Sequence, residues 1–195
     1  MPEYLSYFLS GEELDARELL HVRFGADIAR TYQFWEAAVA RIVAGHVTSA
    51  SCPWDVEIAY FTEQIRIEVK FSQEFTCQFR QGSRQVYKFA LPKGGGKAKD
   101  AHVIVFVGLD AADAVDIWVA PAASIGQVSS ITLTVPRTRT GADRSMLGGL
   151  DQPLSQLLPE VVRAYRCHLR YDREHHAETR LHTRGIFPLF EVSAP

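Results

Sequence analysis

The sequence predicts a single α/β domain, and three patterns along its 195 residues support this prediction. Apolar residues recur at helical spacing from about Ala26 to Ala44. Several segments rich in β-branched and aromatic residues follow, which is typical of strands. A second helical pattern runs from Pro153 to about Tyr171. A helix, several strands and a second helix, with no internal repeat, are the order expected of one α/β domain.

The composition is that of an ordinary globular protein, with 47% hydrophobic and 23% charged residues. No apolar run is long enough to cross a bilayer, and the first residues lack a signal peptide. We therefore expect a cytoplasmic protein with no membrane partner. The three cysteines, Cys52, Cys77 and Cys167, are widely spaced and odd in number. This pattern predicts buried free thiols and argues against a disulfide framework or a CxxC zinc site.

The net charge of −2 conceals an uneven distribution of charge. Residues 71–100 contain six bases and two acids, a local charge of +4. Phosphate binding depends on local clusters of Lys and Arg, so a nucleic-acid partner is compatible with this segment. The basic residues expected to contact DNA are Arg80, Arg84, Lys88, Lys93 and Lys97. Ordinary solvated surface charge is the alternative explanation.

Two predicted strands form an antiparallel hairpin in the first half of the chain. Trp54–Phe61 is the first strand, and Ile65–Phe71 alternates strictly between apolar and polar residues, the pattern of a half-buried strand. The turn at Thr62–Gln64 is short enough to join them directly. Three further strands are predicted at His102–Gly108, Asp116–Ala120 and Ser130–Val135. Between these regions, Glu74–Leu91 is ambiguous, and we expect a mixture of helix and strand there.

The remaining segments are predicted to form a short helix, a short strand or turn, two loops and a tail. The first 23 residues form a short helical lead-in, and His46–Ser51 forms a short polar strand or turn. Lys93–Lys97 and residues 136–150 are predicted loops. The tail from Asp172 onward is charged and rich in histidine, and it ends in the apolar patch Ile186–Phe190.

The hairpin brings together Asp55, Glu68 and Lys70. Glu68 and Lys70 are two positions apart and therefore point to the same face of their strand, and the hairpin places Asp55 alongside them. The intervening Ile67, Val69 and Phe71 are expected to pack on the opposite face. Carboxylate oxygens suit Mg²⁺, which offsets charge on phosphoryl oxygens, and a lysine can orient water or stabilise developing charge. This combination is suited to phosphodiester hydrolysis.

Asp55, a spacer of twelve residues and Glu68-Val69-Lys70 resemble the motif of the PD-(D/E)XK nuclease superfamily. The family pattern is an acid, a variable spacer and (D/E)-x-K across a β-hairpin, after a helix that often supplies a further Glu. Pro53 lies two residues before Asp55 instead of directly before it, so the first part of the motif matches loosely. Glu36 matches the acid of the upstream helix. The resemblance covers roughly residues 25–125.

The resemblance implies a restriction-endonuclease-like core, with a mixed central sheet flanked by helices. We expect one domain over residues 1–195, with this core at about 25–135 and a C-terminal helical extension at about 151–195. The metal-binding residues would be Asp55, Glu68 and Val69, with Mg²⁺ as the cofactor and Mn²⁺ as its substitute. Lys70 would position or activate water, and Glu36 would assist. Ser72 and Gln73 lie where many members of the family carry small polar residues near the site, and they are expected to contact DNA.

The implied function is endonucleolytic hydrolysis of double-stranded DNA in a restriction or phage-defence role. Such enzymes often act as homodimers, because one active site cuts one strand. Two alternatives remain open. The chain could be a noncatalytic nucleic-acid-binding module with a nuclease-like fold. It could also be a protein-interaction subunit, with Ile186–Phe190 as its docking patch.

Each candidate residue also has an ordinary structural explanation. Asp55, Glu68 and Lys70 could form a solvated sheet face with a cross-strand ion pair. Glu57 is the rival to Asp55, two positions along the same strand face. Glu36 could face solvent. The histidines His168, His175, His176 and His182 fit no familiar zinc spacing and are expected at the surface. The sequence contains no GxSxG, HExxH or P-loop motif.

Overall fold

The computed structural model describes residues 30–91, 100–111, 115–125, 129–134, 149–150 and 156–183. Four predicted features lie outside these residues: the helical lead-in, the Lys93–Lys97 loop, most of the loop at 136–150 and the apolar patch Ile186–Phe190. The described helices are α1 (Tyr32–Ile42), α2 (Ala122–Ile125) and α3 (Leu157–Thr183). The described strands are β1 (His46–Val47), β2 (Val56–Tyr60), β3 (Glu63–Gln73), β4 (Phe75–Phe79), β5 (Gly82–Ala90), β6 (Val103–Leu109), β7 (Val115–Pro121), β8 (Ser130–Thr134) and β9 (Gly149–Leu150).

Two sheets organise the chain. The main sheet has six strands in the order β1-β2-β3-β6-β7-β9, and a second sheet has three in the order β4-β5-β8. Strands β3 and β6 run parallel, whereas the other neighbours in both sheets are antiparallel. The predicted α/β class and the mixed central sheet are therefore confirmed.

One face of the main sheet packs against helices α1 and α3. Strand residues of one parity point to this face, among them Ile67 and Val69 of β3 and Val105 of β6. Trp35 of α1 and Val161 of α3 contact them from the helix side. Phe71 is partly buried and packs against the same core. The predicted orientation of Ile67, Val69 and Phe71 is confirmed.

The opposite face of the main sheet is covered by the second sheet. Ile104 and Phe106 of β6 and Trp118 of β7 pack against Tyr87 and Phe89 of β5. In the described part of the chain, helices thus flank the central sheet on one face and a sheet covers the other. The finer prediction of a restriction-endonuclease-like core stays a prediction.

Helix α1 begins later than the sequence predicts. Thr31 has an extended backbone and its side chain accepts a hydrogen bond from the Phe34 N–H, so it is the N-cap. At the other end, Ala44 adopts a positive φ of 53°. Gly45 follows it and lies close to β2, where a Cβ would be 2.7 Å from the Glu57 carbonyl oxygen.

The β2–β3 hairpin is confirmed, but its turn is tighter than predicted. Tyr60 pairs with Glu63, so the turn consists of Phe61 and Thr62, and Glu63 and Gln64 belong to the strand. Phe61 has a positive φ of 55° and is 90% exposed. Strand β2 begins at Val56, so Asp55, which the sequence predicts within the strand, lies just before it.

The region that the sequence leaves ambiguous, Glu74–Leu91, contains only strands among its regular elements. Strands β4 and β5 form a hairpin, and Phe79 pairs with Gly82 across a turn at Arg80 and Gln81. The prediction of partial helix there is wrong. The alternation of buried Tyr87 and Phe89 with exposed Lys88 is the strand signal in its second half.

The C-terminal part of the chain also differs from the prediction. Helix α3 continues from Leu157 to Thr183, so the stretch from Asp172, predicted as a charged tail, begins as helix. Gly149 and Leu150, predicted as loop, pair with β7. The described helices include none that is both long and apolar enough to span a membrane.

The cysteines are free, as predicted, but none of them is buried. Cys52 and Cys77 are half-buried and Cys167 is exposed. Cys52 lies in a polar loop, Cys77 on a largely exposed strand and Cys167 away from the core-facing side of α3. None of these places belongs to the core, and the thiols are therefore not buried as the sequence predicts.

Close packing of Tyr87 on Gly108 holds the second sheet against the main one. A Cβ at Gly108 would lie 2.7 Å from two atoms of the Tyr87 ring, which has no exposed surface. The Tyr87 hydroxyl donates a hydrogen bond of 2.9 Å to Asp116 Oδ2. Burial and the adjacent Asp116 raise the pKa of Tyr87 above its ordinary value, so the phenol keeps the proton that it donates.

We expect Gly108→Ala to destabilise the protein because the rigid, buried ring leaves no room for a methyl group. Overpacking of this kind costs about 1–3 kcal/mol, which lowers the melting temperature of a chain of this size by several degrees. Thermal denaturation measures the effect. In a Tyr87→Leu background the same substitution should cost clearly less, and an equal cost in both backgrounds would contradict the packing argument.

Candidate active site

Asp55 is held in place by its main chain before β2 begins. The Thr48 N–H donates to the Asp55 carbonyl oxygen at 2.9 Å, and the Thr48 hydroxyl donates to the Trp54 carbonyl oxygen. The Asp55 N–H donates in turn to the Ile67 carbonyl oxygen at 3.0 Å. The loop from Thr48 to Asp55 is thereby closed on itself and fixed to β3.

The Asp55 side chain lies where the β2–β3 ladder ends. Val56 opposite Ile67 is the last pair of the ladder, which leaves Asp55 beside Glu68. Asp55 Oδ2 accepts a hydrogen bond of 2.7 Å from the Val69 N–H, so a carboxylate replaces the missing strand partner. A residue's N–H and C=O leave a strand on the same side, so the Val69 carbonyl also points towards Asp55.

Glu68 and Lys70 form an ion pair on the strand face that the second sheet covers. Their neighbours on β6 are Ile104 and Phe106, both of which pack against that sheet. Lys70 Nζ donates to Glu68 Oε1. Glu68 is only 8% exposed. A carboxylate with so little contact with water needs a compensating charge, and Lys70 supplies it.

Glu36 approaches the same group from α1. Its pKa is raised from 4.5 to about 7, first by burial and then by the neighbouring Asp55 and Glu68, while Lys70 lowers it. Three carboxyl groups and one ammonium group therefore share one neighbourhood. Hydrogen bonds join Asp55 to the Val69 main chain and Lys70 to Glu68, and Glu36 is linked to these residues through the charges that shift its pKa.

The position of α1 follows from its packing on β3. The ring of Trp35, next to Glu36, stacks on Phe71 with centroids 5.9 Å apart. Arg30 and Gln73 exchange two hydrogen bonds, one from the guanidinium to the amide oxygen at 3.3 Å and one from the amide to the Arg30 carbonyl oxygen at 3.2 Å. These contacts fix the first turn of α1 against the end of β3.

The remaining predicted residues lie in several places. Glu57, the rival to Asp55, lies 3.9 Å from His46 and is not among the groups that shift the pKa of Glu36. Ser72 is buried; its hydroxyl donates to the Gln73 carbonyl oxygen at 3.0 Å and accepts from the Lys88 N–H at 2.9 Å. Gln73 is exposed and paired with Arg30.

Of the five basic residues that the sequence predicts to contact DNA, three are described by the structure. Arg80, Arg84 and Lys88 are exposed on the β4–β5 hairpin. Lys93 and Lys97 lie outside the described residues.

The histidines form no zinc site in the described part of the chain. His168 is half-buried, its ring lies 5.3 Å from that of His102, and its Nδ1 accepts the Ala123 N–H at 3.3 Å. The side chains of His175, His176 and His182 lie outside what the structure describes. Within the described ranges, no group of three or more His, Cys, Asp or Glu side chains is arranged to hold a metal ion.

The donors at Asp55 still fit magnesium chemically. Mg²⁺ is commonly bound by one or two protein carboxylates and keeps several waters. Asp55, Glu68 and the Val69 carbonyl supply oxygens of this type, so three acidic side chains are not required. Asp55 accepts a hydrogen bond from the Val69 N–H and Glu68 accepts one from Lys70, and a bound cation would compete with both donors.

Two contacts near the site could not be found from sequence patterns. The Arg66 guanidinium lies over the Trp54 ring at 4.4 Å from its centroid and packs beside the Asp55 segment. Arg30 and Gln73 are 43 positions apart. The alternation of β3 reports burial, but it contains no information about which distant side chain each polar residue meets.

No protein-family model matches the sequence, and no curated protein matches it significantly. The function therefore has to be argued from the geometry and chemistry of this site.

We expect Glu36→Gln to stabilise the metal-free protein at pH 8 but not at pH 5. The folded-state pKa of about 7 lies above the ordinary 4.5, so the stabilisation associated with the neutral carboxyl is complete below pH 4.5 and lost as the pH rises through 7. Because Glu36 is only half-buried, screening limits the gain to roughly 1 kcal/mol, or about 2–4 °C in melting temperature.

Thermal melts at both pH values test this expectation. Asp100→Asn removes the same charge from an exposed position and corrects for the change in net charge. An equal shift for Glu36→Gln at pH 5 and pH 8 would contradict the repulsion between Glu36, Asp55 and Glu68.

Proposed function

We propose that this chain is a metal-dependent nuclease that hydrolyses phosphodiester bonds in DNA, with a site of the PD-(D/E)XK type. The observation that supports the proposal is the convergence of Glu36, Asp55, Glu68 and Lys70 from a helix, a loop and a strand. A solvated strand face would explain the alternation of Glu68 and Lys70. It would not explain why Glu68 is buried or why Asp55 and Glu68 both raise the pKa of Glu36.

The charge of the site favours a cation. Three carboxyl groups face one ammonium group, and a phosphate would be repelled by the excess negative charge. Asp55, Glu68 and the Val69 carbonyl would hold Mg²⁺ or Mn²⁺. When bound, such an ion offsets charge on phosphoryl oxygens and makes a water molecule easier to deprotonate.

Lys70 would act on the attacking water and on the charge that develops at phosphorus. Its ammonium group is mostly buried and already held at the site by Glu68, so it needs little reorganisation when substrate binds. Glu36 adds a third carboxyl group beside the two metal-binding acids. Val69 contributes through its main chain while its side chain stays in the core.

The biological setting rests on the resemblance alone. Double-stranded DNA as substrate, a homodimeric arrangement and a role in restriction or phage defence are parts of the proposal that the geometry of one chain leaves open to test. A chain that binds DNA without cutting it would instead be the noncatalytic nucleic-acid-binding module.

We expect Lys70→Ala to reduce cleavage of plasmid and short duplex DNA by about a hundredfold to a thousandfold, because it removes one preorganised charged group. Cleavage is measured with Mg²⁺ and after chelation with EDTA, which should abolish the activity of the wild type. Arg170→Ala is the control, since Arg170 is exposed on α3 and lies on the other side of the main sheet from Lys70.

Folding is monitored by thermal melting, because Lys70→Ala removes the ammonium group that forms an ion pair with the buried Glu68. Lys70→Arg keeps that charge and serves as the second variant. If the Lys70→Ala protein is folded and cuts at the wild-type rate, the proposed role of Lys70 is wrong. If the wild type binds DNA but does not cut it with either metal, the nuclease proposal itself fails.

A further inference from the structure

The described part of the chain covers little of the outer half of the β4–β5 hairpin. Every residue from Phe75 to Gln85 is exposed or half-buried, whereas Val86, Tyr87 and Phe89 are buried. Only the second half of β5 is thus covered. A strand rises about 3.3 Å per residue, so the tip at Gly82 extends roughly 20 Å beyond Lys88.

The base of the hairpin is fixed next to the candidate active site. The Lys88 N–H donates to Ser72, which lies two positions from Lys70 on the same face of β3. Tyr87 packs on Gly108 and donates to Asp116. The hairpin therefore has a rigid attachment about 7 Å along the strand from Lys70.

The charged side chains of the hairpin are all positive. Residues 75–91 contain three bases, Arg80, Arg84 and Lys88, and no acid. All three are exposed. The chain as a whole carries a net charge of −2, so this surface is an exception and is complementary to a phosphate backbone.

One face of the hairpin consists of uncharged hydrogen-bonding side chains. Thr76 lies opposite Gln85, and Gln78 lies opposite Ser83. The Thr76 hydroxyl donates to the Gln85 amide oxygen at 3.0 Å, and the Ser83 hydroxyl donates to the Gln78 amide oxygen at 3.1 Å. Each amide keeps its NH₂ group as a donor. Amides and hydroxyls are the groups that contact base edges.

The opposite face combines aromatic rings with positive charge. Phe75 and Phe79 are 41% and 44% exposed, and the Arg84 guanidinium lies 5.8 Å from the Phe79 ring centroid. That contact, together with a hydrogen bond of 3.4 Å from the Arg84 guanidinium to Gln81 Oε1, holds Arg84 near the turn of the hairpin that also contains Arg80.

We propose that this hairpin lies in the major groove of duplex DNA, with Gln78 and Gln85 at base edges and Arg80 and Arg84 at phosphates. The major groove admits a two-stranded β-ribbon, and its depth of about 8.5 Å is well within the length of the outer half of the hairpin. The choice of DNA as the occupant rests on the proposed function. The placement of the hairpin rests on its own charge, exposure and polar ladder.

Binding to a duplex library with a randomised central segment tests the proposal. Ca²⁺ replaces Mg²⁺ so that the DNA stays intact, and affinity is measured by fluorescence anisotropy over a range of salt concentrations. Arg80→Ala with Arg84→Ala should reduce the slope of log affinity against log salt by about 2, since each lost phosphate contact removes about 0.9. Arg170→Ala with Arg173→Ala, which removes two exposed arginines from α3, should leave the slope unchanged.

The glutamines are tested by sequencing the bound DNA. Gln78→Ala with Gln85→Ala should leave the salt slope unchanged but reduce the base preference of the wild type by about tenfold at one or more positions. Melting curves confirm that each variant is folded. A reduced slope with no base preference in the wild type would show phosphate contact alone and overturn the groove placement.

An unchanged slope in the Arg80/Arg84 variant, or no binding by the wild type, would overturn the inference altogether. Cleavage with Mg²⁺ is measured in parallel on the wild type. A wild type that shows the predicted slopes and base preference but does not cut contradicts only the proposed nuclease function.

Discussion

The β2–β3 ladder stops at Val56 and Ile67, and the candidate site depends on that end. One residue earlier, Asp55 keeps its main chain bonded to Ile67 while its carboxylate turns to the Val69 N–H. The Val69 main chain therefore meets a carboxylate where a continued strand would have placed a peptide group. If the ladder ran two pairs further, to Trp54 and Val69, the Val69 main chain would be occupied by β2, and Asp55, Glu68 and the Val69 carbonyl could not share a ligand.

The charges around the end of the ladder determine which ligands can bind there. Glu68 is nearly inaccessible to water, Glu36 is raised to a pKa of about 7, and Lys70 is the one cation among the groups that act on Glu36. A concentration of like charges costs stability, and such arrangements are found most often at functional sites. Magnesium with a phosphate is a combination that this donor set suits, because the ion brings the positive charge that the three carboxyl groups lack.

The sequence was informative where apolar and polar residues alternate and uninformative where they do not. Ile65–Phe71 has one apolar face, so its two-residue period correctly predicts the strand and the common face of Glu68 and Lys70. The outer half of the β4–β5 hairpin meets solvent on both faces, and the helix beyond Asp172 has only Ala177 and Leu181 as apolar residues, so neither has a hydrophobic period to detect. Partners far apart in the chain, such as Tyr87 and Asp116, leave no local pattern at all.

Diffraction from crystals grown or soaked with Mn²⁺ would show whether a divalent cation binds where the ladder ends. We expect an anomalous peak bonded to the carboxylates of Asp55 and Glu68 and to the Val69 carbonyl oxygen, with no such peak in Glu68→Ala crystals. Mn²⁺ bound only elsewhere, with Asp55 still on the Val69 N–H and Glu68 still on Lys70, would contradict this expectation.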